Sequence, residues 1–368
     1  MHLMNRCPSC GATYPADARF CTRDGTRLVA AGGGAPAMKG TAAPGTTPPR
    51  PTVDRGRRGS APPLSDATLV GKTLEGRYEI VKKVGEGGMS FVYLARDVAT
   101  GERCAIKVLS AKLSQDTNAM ARLRREASMG MRLAHPNICH IIRLGETEDG
   151  LVYVVMPFVE GEVLSDRTHR RNFLPLNDVV SLVHDIAAGL NLAHHLKIVH
   201  RDLKPENVMV CARPDGTEYA VVMDFGLAKE RRAGAELQKL TATGIILGTP
   251  EFMSPEQLRG KVLDGRTDIY SLALMTCEML TGKLPFQGRT QQELMIARLR
   301  GDPIPLRKVR VDLDFPEAVE DVLRKGMQRN PDDRYQSALE YADALAEAAA
   351  SGDVKRGVGP SLGKPSER

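Results

Sequence analysis

The segment HRDLKPEN at residues 200–207 narrows the interpretation of this 368-residue chain more than any other feature. An Asp-Phe-Gly triplet beginning at Asp224 follows it, 22 residues after Asp202. Asp202 can orient a hydroxyl group or accept its proton, and Lys204 can neutralise a transferred phosphoryl group. Asn207 and Asp224 carry the oxygen ligands that Mg²⁺ prefers. The four side chains together predict a site for phosphoryl transfer.

A glycine-rich segment, GEGG at 85–88, lies between two predicted strands. Glycine lets the backbone approach phosphate groups closely and present its N–H groups to them. Lys107 lies in a β-type run 15 residues after Val92, and a lysine that faces a cleft can neutralise phosphate oxygens. Such a lysine needs an acidic partner, for which Glu126 in the next helical segment is the candidate. The alternative is that Glu126 belongs to a solvated helix face.

Hydrophobic periodicity divides the main body of the chain into a strand-rich block and a helix-rich block. Strands are predicted at Tyr78–Val84, Phe91–Asp97, Cys104–Leu109, Ile138–Glu146 and Leu151–Phe158, with one helix around Asn118–Ala134. After Gly161 the chain is mostly helical, with helices predicted at Val179–Leu196, Ile269–Thr281, Gln291–Arg300, Glu317–Met327 and Ser337–Ala349. This order predicts two lobes with a cleft between them.

From about residue 77 to 347 the chain resembles eukaryotic-like, bacterial serine/threonine protein kinases. The motifs above occur in the family's order, and SPE at 254–256 stands where the family usually has Ala-Pro-Glu. The resemblance implies an α+β, bilobal protein kinase fold, with a small β-rich N-lobe and a larger helical C-lobe. It also implies a buried ion pair between Glu256 and Arg334, and that Asp268 braces the catalytic loop, residues 200–207.

The implied activity is transfer of the ATP γ-phosphoryl group to Ser or Thr hydroxyls of proteins, with Mg²⁺ or Mn²⁺ as the metal. The catalytic residues implied are Asp202, Lys204, Lys107 and Glu126, and the metal ligands are Asn207 and Asp224. The nucleotide contacts implied are Val84, Gly85, Glu86, Gly87, Gly88, Val92, Ala105, Lys107, Met156, Pro157, Val159 and Met209.

Two features bear on regulation. Arg201 precedes Asp202, which in this family implies control by phosphorylation of the activation loop, and the candidate acceptors are Thr241 and Thr243. Gly130 stands where the family usually has a bulky apolar residue that links the helix to Phe225. Glycine weakens a helix by about 1 kcal/mol relative to alanine. We therefore expect this helix to depend on loop phosphorylation or on a partner.

The first 30 residues carry three of the seven cysteines, Cys7, Cys10 and Cys21. Their spacing resembles half of a zinc ribbon, with Asp24 where the family has its fourth cysteine. A Cys₃Asp site for Zn²⁺ is predicted, because so short a segment can fold only if a metal supplies the energy. His2 is an alternative fourth ligand, and three free thiols in a disordered arm is the alternative to metal binding.

We predict four regions: a zinc-ribbon-like module at 1–30, a flexible Pro/Gly-rich linker at 31–76, the kinase domain at 77–347 and a disordered tail at 348–368. Within the kinase domain, the N-lobe is expected at 77–156 and the C-lobe at 160–347. The linker is predicted to be flexible because it has few large apolar side chains to bury.

Charge and composition exclude several classes of protein. Residues 1–76 carry ten Lys or Arg against five Asp or Glu, whereas residues 77–350 carry 37 against 38. The kinase domain therefore has no excess of basic residues for binding nucleic acid, and nucleic acid is not an expected partner. A regulatory protein that binds the zinc-ribbon arm is a possible partner. No apolar run has the length of a membrane span, and the N-terminus lacks an apolar core of signal-peptide length, so a cytoplasmic protein without membrane insertion is expected.

Three other interpretations are open. A pseudokinase scaffold would bind partners without catalysis, but every catalytic residue type is retained. A small-molecule phosphotransferase is disfavoured by the segment at 248–256, because in protein kinases this segment docks the peptide substrate. Lys204, Gly248 and Thr249 further indicate Ser or Thr acceptors. A nucleic-acid-binding protein would use the arm, and salt-dependent DNA retention by residues 1–76 would support it.

Overall fold

The computed structural model describes residues 4–6, 13–15, 29–30, 69–87, 90–110, 114, 117–225 and 250–352. The chain divides into two units, Met1–Ala61 and Pro62–Arg368. In the described part of the first unit, three short strands form an antiparallel sheet in the order β2–β1–β3. These strands are β1 (Met4–Arg6), β2 (Thr13–Pro15) and β3 (Val29–Ala30). The predicted zinc ligands Cys7, Cys10, Cys21 and Asp24, and the alternative His2, lie outside the described residues.

The second unit begins with a six-stranded antiparallel sheet in the order β4–β5–β6–β7–β9–β8. Its strands are β4 (Thr73–Leu74), β5 (Tyr78–Gly87), β6 (Ser90–Asp97), β7 (Arg103–Leu109), β8 (Arg143–Glu146) and β9 (Val152–Pro157). Among the described residues, the helix α1 (Thr117–Gly130) lies between β7 and β8 in the chain. Met120, Leu123 and Ala127 are buried at the 3–4 residue spacing of one helix face, so this face packs against the sheet.

The C-lobe is mostly helical, with a second small sheet in the order β10–β11–β12. Its strands are β10 (Glu162–Val163), β11 (Val208–Ala212) and β12 (Glu218–Val222). Its described helices are α2 (Leu164–Arg171), α3 (Leu176–His195), α4 (Pro255–Leu258), α5 (Gly265–Thr281), α6 (Gln291–Arg300), α7 (Leu306–Val309), α8 (Glu317–Gly326) and α9 (Ala338–Gly352). Nearly all of α5 is buried, so this helix forms the axis of the C-lobe core. The expected bilobal architecture is confirmed.

The structure corrects several predicted boundaries. Leu69 is buried and β4 pairs with β5, so the ordered domain begins earlier than residue 77 and the linker ends earlier than 76. The helix α9 continues to Gly352, because Ala348 and Ala349 pack into the core instead of belonging to a tail.

One predicted strand is also shorter in the structure. The strand predicted at Ile138–Glu146 is paired only from Arg143, since Ile138 makes an isolated bridge to Val222 in the C-lobe. The described residues include no helix long and apolar enough to cross a bilayer.

Candidate active site

Lys107 reaches across the cleft between the lobes. It lies in the middle of β7, opposite Val92 on one side and Val154 on the other. Its Nζ lies 2.9 Å from Oδ1 of Asp224, and its side chain is 17% exposed. Glu126 lies on α1, but its side chain is outside the described part of the structure, so the Lys107–Glu126 pair stays a prediction.

The catalytic loop brings Asp202, Lys204 and Asn207 together. The Asn207 amide nitrogen Nδ2 donates to the Asp202 carbonyl oxygen at 2.8 Å and to its carboxylate Oδ2 at 3.0 Å. Lys204 Nζ lies 3.7 Å from the same Oδ2. The Met223 N–H donates to the Asn207 carbonyl at 2.8 Å, which ties the loop to the residue before Asp224.

These residues fit a divalent cation. Because Nδ2 of Asn207 makes both bonds to Asp202, the opposite amide oxygen is the atom that could ligate a metal. The Asp224 side chain is 42% exposed, with its carboxylate beside Lys107. An amide oxygen and a carboxylate are hard oxygen donors of the kind Mg²⁺ takes. Among the described residues no group of three or more His, Cys, Asp or Glu is placed to hold a metal ion.

Asp268 on α5 fixes the backbone of the catalytic loop. Its buried carboxylate accepts the His200 N–H at 2.8 Å, the Arg201 N–H at 2.9 Å and His194 Nε2 at 2.8 Å. Burial opposes ionisation of Asp268, but the His194 hydrogen bond and the nearby histidines outweigh it, and the pKa is lowered. Arg201 has a φ of 64°, a strained conformation that such bonds can hold.

Two residues of this network were not expected to have these roles. His194 bonds Asp268, while the neighbouring His195 is exposed. Gln257 donates through Nε2 to the Arg201 carbonyl at 2.7 Å. Only the long-range contact identifies either residue, because nothing in the local sequence marks them. His200 is a structural hydrogen-bonding residue, and its Nε2 lies 2.9 Å from the Met223 carbonyl oxygen.

The implied ion pair between Glu256 and Arg334 is present and buried. Arg334 Nη1 and Nη2 donate to the two Glu256 oxygens at 2.7 and 2.8 Å. The Thr267 hydroxyl donates to the same carboxylate at 2.9 Å. Burial opposes ionisation of Glu256, but Arg334 outweighs this effect and lowers its pKa. The pair ties α4 to the segment between α8 and α9.

Five of the residues predicted to contact the nucleotide lie in one apolar cluster. Ala105 and Met156 pair across β7 and β9, and Val92, Val159 and Met209 pack with them. The cluster also contains Cys139 and Met223, which sequence reasoning missed, although Met223 directly precedes Asp224. Pro157 ends β9, and the Cys139 Sγ lies 3.7 Å from the Pro157 carbonyl oxygen. Val84 is 44% exposed and lies outside this cluster.

The glycine-rich segment forms the end of the β5–β6 hairpin. Gly85 is opposite Val92, Glu86 is opposite Phe91 and Gly87 is opposite Ser90. Glu86 is held by Lys83, whose Nζ lies 2.8 Å from Glu86 Oε2. Gly88 lies outside the described residues, as do Gly226–Thr249 with the predicted phosphoacceptors Thr241 and Thr243 and the Gly248–Thr249 motif.

The space beside Gly130 is filled from an unexpected direction. A Cβ at Gly130 would lie 2.9 Å from Ile141 Cδ1, so Ile141 occupies the room that a larger residue would take. Met129 and Met131, on either side of Gly130, are 36% and 42% exposed. The packing loss expected from Gly130 is therefore partly made up by Ile141.

Four cysteines in the described part of the kinase domain are core residues. Cys104, Cys139, Cys211 and Cys277 are buried and free. Burial raises the pKa of Cys104 to about 11 and those of Cys139 and Cys277 to about 12. These thiols are therefore neutral at physiological pH and poor nucleophiles.

A family model, the protein kinase domain, matches residues 78–345. The chain belongs to the protein kinase family. The kinase domain is 37% identical over 278 residues to the serine/threonine-protein kinase pkn3 of Myxococcus xanthus, covering 75% of this chain and 50% of that protein. It is 39% identical over 274 residues to the serine/threonine-protein kinase PknB of Mycobacterium leprae, covering 73% of this chain and 42% of that protein. The chain thus spans half or less of the length of these curated relatives.

A solved structure gives the same fold. The PknI kinase domain of Mycobacterium tuberculosis superposes on the kinase domain with a TM-score of 0.59 at 29% identity. The match covers 77% of this chain and 100% of that chain. The similarity therefore extends over the whole bilobal domain, including both sides of the cleft.

Proposed function

We propose that this chain is an ATP-dependent serine/threonine protein kinase. The observation that carries the proposal is that the predicted catalytic residues of the two lobes meet in one place. Lys107 contacts Asp224 at 2.9 Å, while Asn207 connects the Asp202 carboxylate to the residue before Asp224. Both curated relatives are serine/threonine-protein kinases by name, which supports the same reaction here.

The chemistry asks little covalent work of these side chains, so positioning and electrostatics supply most of the rate. Asp202 orients the substrate hydroxyl and accepts its proton, and Asn207 fixes the Asp202 carboxylate for this task. Lys204 lies near the same carboxylate, where its charge can stabilise the transferred phosphoryl group. Asn207 and Asp224 would hold Mg²⁺, which when bound neutralises charge on the phosphates.

The nucleotide would lie between the glycine-rich segment and the apolar cluster around Ala105 and Met156. The backbone N–H groups of residues 85–88 would contact phosphate oxygens, and the Val159 N–H would contact adenine. Lys107 would exchange Asp224 for the α- and β-phosphates and for Glu126 when ATP enters. The exposed side chain of Val84 leaves it able to close over the base.

Regulation by autophosphorylation of the activation loop is part of the proposal. A phosphate on Thr241 or Thr243 would pair with Arg201 and order the loop. The Arg201 backbone donates its N–H to Asp268 and accepts a hydrogen bond from Gln257 at its carbonyl. The backbone position of Arg201 is therefore fixed before the phosphate arrives.

The first 30 residues are proposed to form a zinc-binding module on a linker, in a bacterial, cytoplasmic protein where ATP is available. Cys7 and Cys10 fall between β1 and β2, which pair antiparallel, and this is where a zinc knuckle would form. Cys21 and Asp24 would complete the site, with His2 the alternative to Asp24. The module would bind a regulatory protein. One zinc per chain by elemental analysis, lost in Cys21→Ser, is the expected result, and no zinc in the wild type would contradict the module.

The test of the kinase function is incubation with ATP and Mg²⁺, followed by mapping of phosphorylated residues. Wild type should label itself and a protein substrate on Ser or Thr, and EDTA should abolish the labelling. Asp202→Asn should remain unlabelled. Equal labelling of both proteins would indicate a contaminating kinase. A wild type that binds ATP but labels nothing would indicate a scaffold, and one that phosphorylates only small molecules would contradict a protein substrate.

A further inference from the structure

One buried amide links the segment that is expected to dock the substrate to the catalytic loop. The described part of this docking segment is residues 250–256, and the amide belongs to Gln257, the third residue of α4. Its Oε1 accepts the Ser254 N–H at 2.9 Å, and its Nε2 donates to the Arg201 carbonyl at 2.7 Å. A carboxamide has one accepting end and one donating end, so only this orientation satisfies both neighbours.

The Arg201 carbonyl belongs to the peptide unit that leads into Asp202. On the other edge of this unit, the Asp202 N–H donates to His200 Nδ1 at 3.3 Å. The two hydrogen bonds hold the unit from opposite sides and so fix its rotation, because a peptide unit is planar and turns as one body. The Cα atom of Asp202 lies in that plane. The rotation of the unit therefore sets the direction in which the Asp202 carboxylate leaves the backbone.

This peptide unit follows a residue in a strained conformation. The φ of Arg201 is 64°, which persists in a residue other than glycine only where the surrounding contacts hold it. Asp268 holds the Arg201 N–H at 2.9 Å, and Gln257 holds the carbonyl. Without the Gln257 donor, rotation of the peptide unit would relieve the strain. That rotation would turn the Asp202 carboxylate away from its 3.0 Å contact with Asn207.

The docking segment has its own anchors in the C-lobe. The Phe252 carbonyl accepts a hydrogen bond from the Ser271 hydroxyl at 2.8 Å, and the Glu256 carboxylate pairs with Arg334. Neither anchor involves the catalytic loop. Loss of the Gln257 donor therefore leaves the docking segment in place and releases only the peptide unit before the catalytic aspartate.

We infer that Gln257 is a positioning residue for phosphoryl transfer, because its amide holds the peptide unit that aims the Asp202 carboxylate at the substrate hydroxyl. Gln257 acts through Asp202 and not on the peptide or the nucleotide itself. Since the same amide is bonded to the docking segment, the aspartate is set at a fixed place relative to a peptide on that segment. The inference rests on the proposed function and adds to it a residue that sets the rate of transfer.

The test compares Gln257→Glu and Gln257→Met with the wild type in the full chain. Gln257→Glu keeps the length of the side chain and an acceptor for the Ser254 N–H, but its carboxylate has no hydrogen for the Arg201 carbonyl. Gln257→Met loses both bonds. Single-turnover transfer to myelin basic protein, the KM for that protein and the Kd for ATP are measured. Both variants should lose about tenfold or more in the rate of transfer, while the KM and the Kd stay within about threefold.

Gln336→Met is the matched control. Gln336 also donates through Nε2 to an arginine carbonyl, that of Arg334, at 2.8 Å, but it is exposed and lies between α8 and α9. This variant should keep the rate of transfer within about twofold of the wild type. Thermal unfolding shows whether each variant is folded. Gln257→Glu preserves the volume of the side chain, so it decides the question if Gln257→Met does not fold.

A double-variant cycle separates positioning from a general structural effect. If Gln257 acts through Asp202, then Gln257→Met should lower the rate by less than about threefold in the Asp202→Asn background, because the group that it positions is already gone. An effect that is independent of Asp202 would instead multiply with the loss from Asp202→Asn.

Unchanged rates in Gln257→Glu and Gln257→Met would overturn the inference while leaving the kinase function intact. So would a raised KM with an unchanged rate, because the amide would then serve only the docking of the substrate. Full multiplication of the two losses in the double variant would also overturn it. If the wild type transfers phosphate to no protein, the proposed function fails and the inference fails with it.

Discussion

Replacing Arg334 with methionine tests how the C-lobe depends on one buried ion pair. The Arg334 side chain is fully buried and the Glu256 side chain is 7% exposed. Arg334 also donates to the carbonyls of Gln328 at 2.7 Å and Arg266 at 2.9 Å. The Arg334→Met variant leaves the Glu256 carboxylate buried and without a cation, with the Thr267 hydroxyl as its remaining side-chain hydrogen-bond donor.

The expected loss is about 3–5 kcal/mol of unfolding free energy, which is typical when one partner of a buried pair is removed. For a domain of this size the melting temperature should fall by roughly 6–20 °C. Adding Glu256→Gln to Arg334→Met should recover part of this loss, because no unpaired charge then stays buried. Since the pKa of Glu256 is lowered in the folded protein, its contribution is present above the unfolded pKa and is lost as the pH falls through the folded value.

The assay is thermal and urea unfolding followed by circular dichroism at pH 7. Arg324→Met is the matched control, because Arg324 and Asp321 also pair at 2.7 Å but are 61% and 60% exposed. That variant should change stability by no more than about 0.5 kcal/mol. The reasoning is refuted if Arg334→Met and Arg324→Met lose the same stability, or if the double variant loses the sum of its single losses.

Three other outcomes follow from the described contacts. Asp268→Asn should lower kcat about tenfold or more in steady-state phosphorylation assays, because the catalytic loop loses its hydrogen bonds to a charged carboxylate. An unchanged kcat would contradict the role of Asp268 in bracing this loop. Gly282→Ala should cost more than about 2 kcal/mol in urea unfolding, because φ is 72° and a Cβ would lie 2.0 Å from the Asn172 carbonyl oxygen. Gly216→Ala, with φ at 84° and no atom within 4 Å, should cost only about 1 kcal/mol, and equal losses would contradict the clash. The unfolding free energy of the substrate-free protein should fall by at most about 3 kcal/mol between pH 5 and 8 as Glu278 loses its proton, because burial raises its pKa to about 7. The fall should be smaller in Glu278→Gln, and an identical pH dependence would mean that Glu278 does not titrate in this range.

The bilobal fold and the composition of the cleft could be predicted because both depend on local signals. The apolar spacing of α3 and α5 predicts core helices, and the structure buries them as expected. In contrast, α2 was not predicted, because its sequence LSDRTHRR is polar and only tertiary contacts select the helical state. The buried Arg167 in that helix, paired with Glu218 at 2.7 Å, could not be inferred from its neighbours in sequence.

In the active site, too, some features follow from the local sequence and others only from tertiary contacts. Motif spacing predicts that Asp202, Asn207 and Asp224 take part in the same reaction. It does not predict the contact between Lys107 and Asp224, because that contact depends on how the two lobes meet. Ile141 fills the space at Gly130, and this too is a tertiary contact, because Gly130 belongs to α1 and Ile141 does not.

The central claim is that the cleft transfers a phosphoryl group, and a single-turnover measurement with enzyme in excess over ATP tests it most directly. The rate of transfer to a protein substrate and the Kd for ATP are measured for wild type and for Asp202→Asn. We predict that the variant keeps its Kd within about threefold and loses at least about a hundredfold in rate, because Asp202 acts on the hydroxyl and not on the nucleotide. Equal rates in the two proteins would contradict the account.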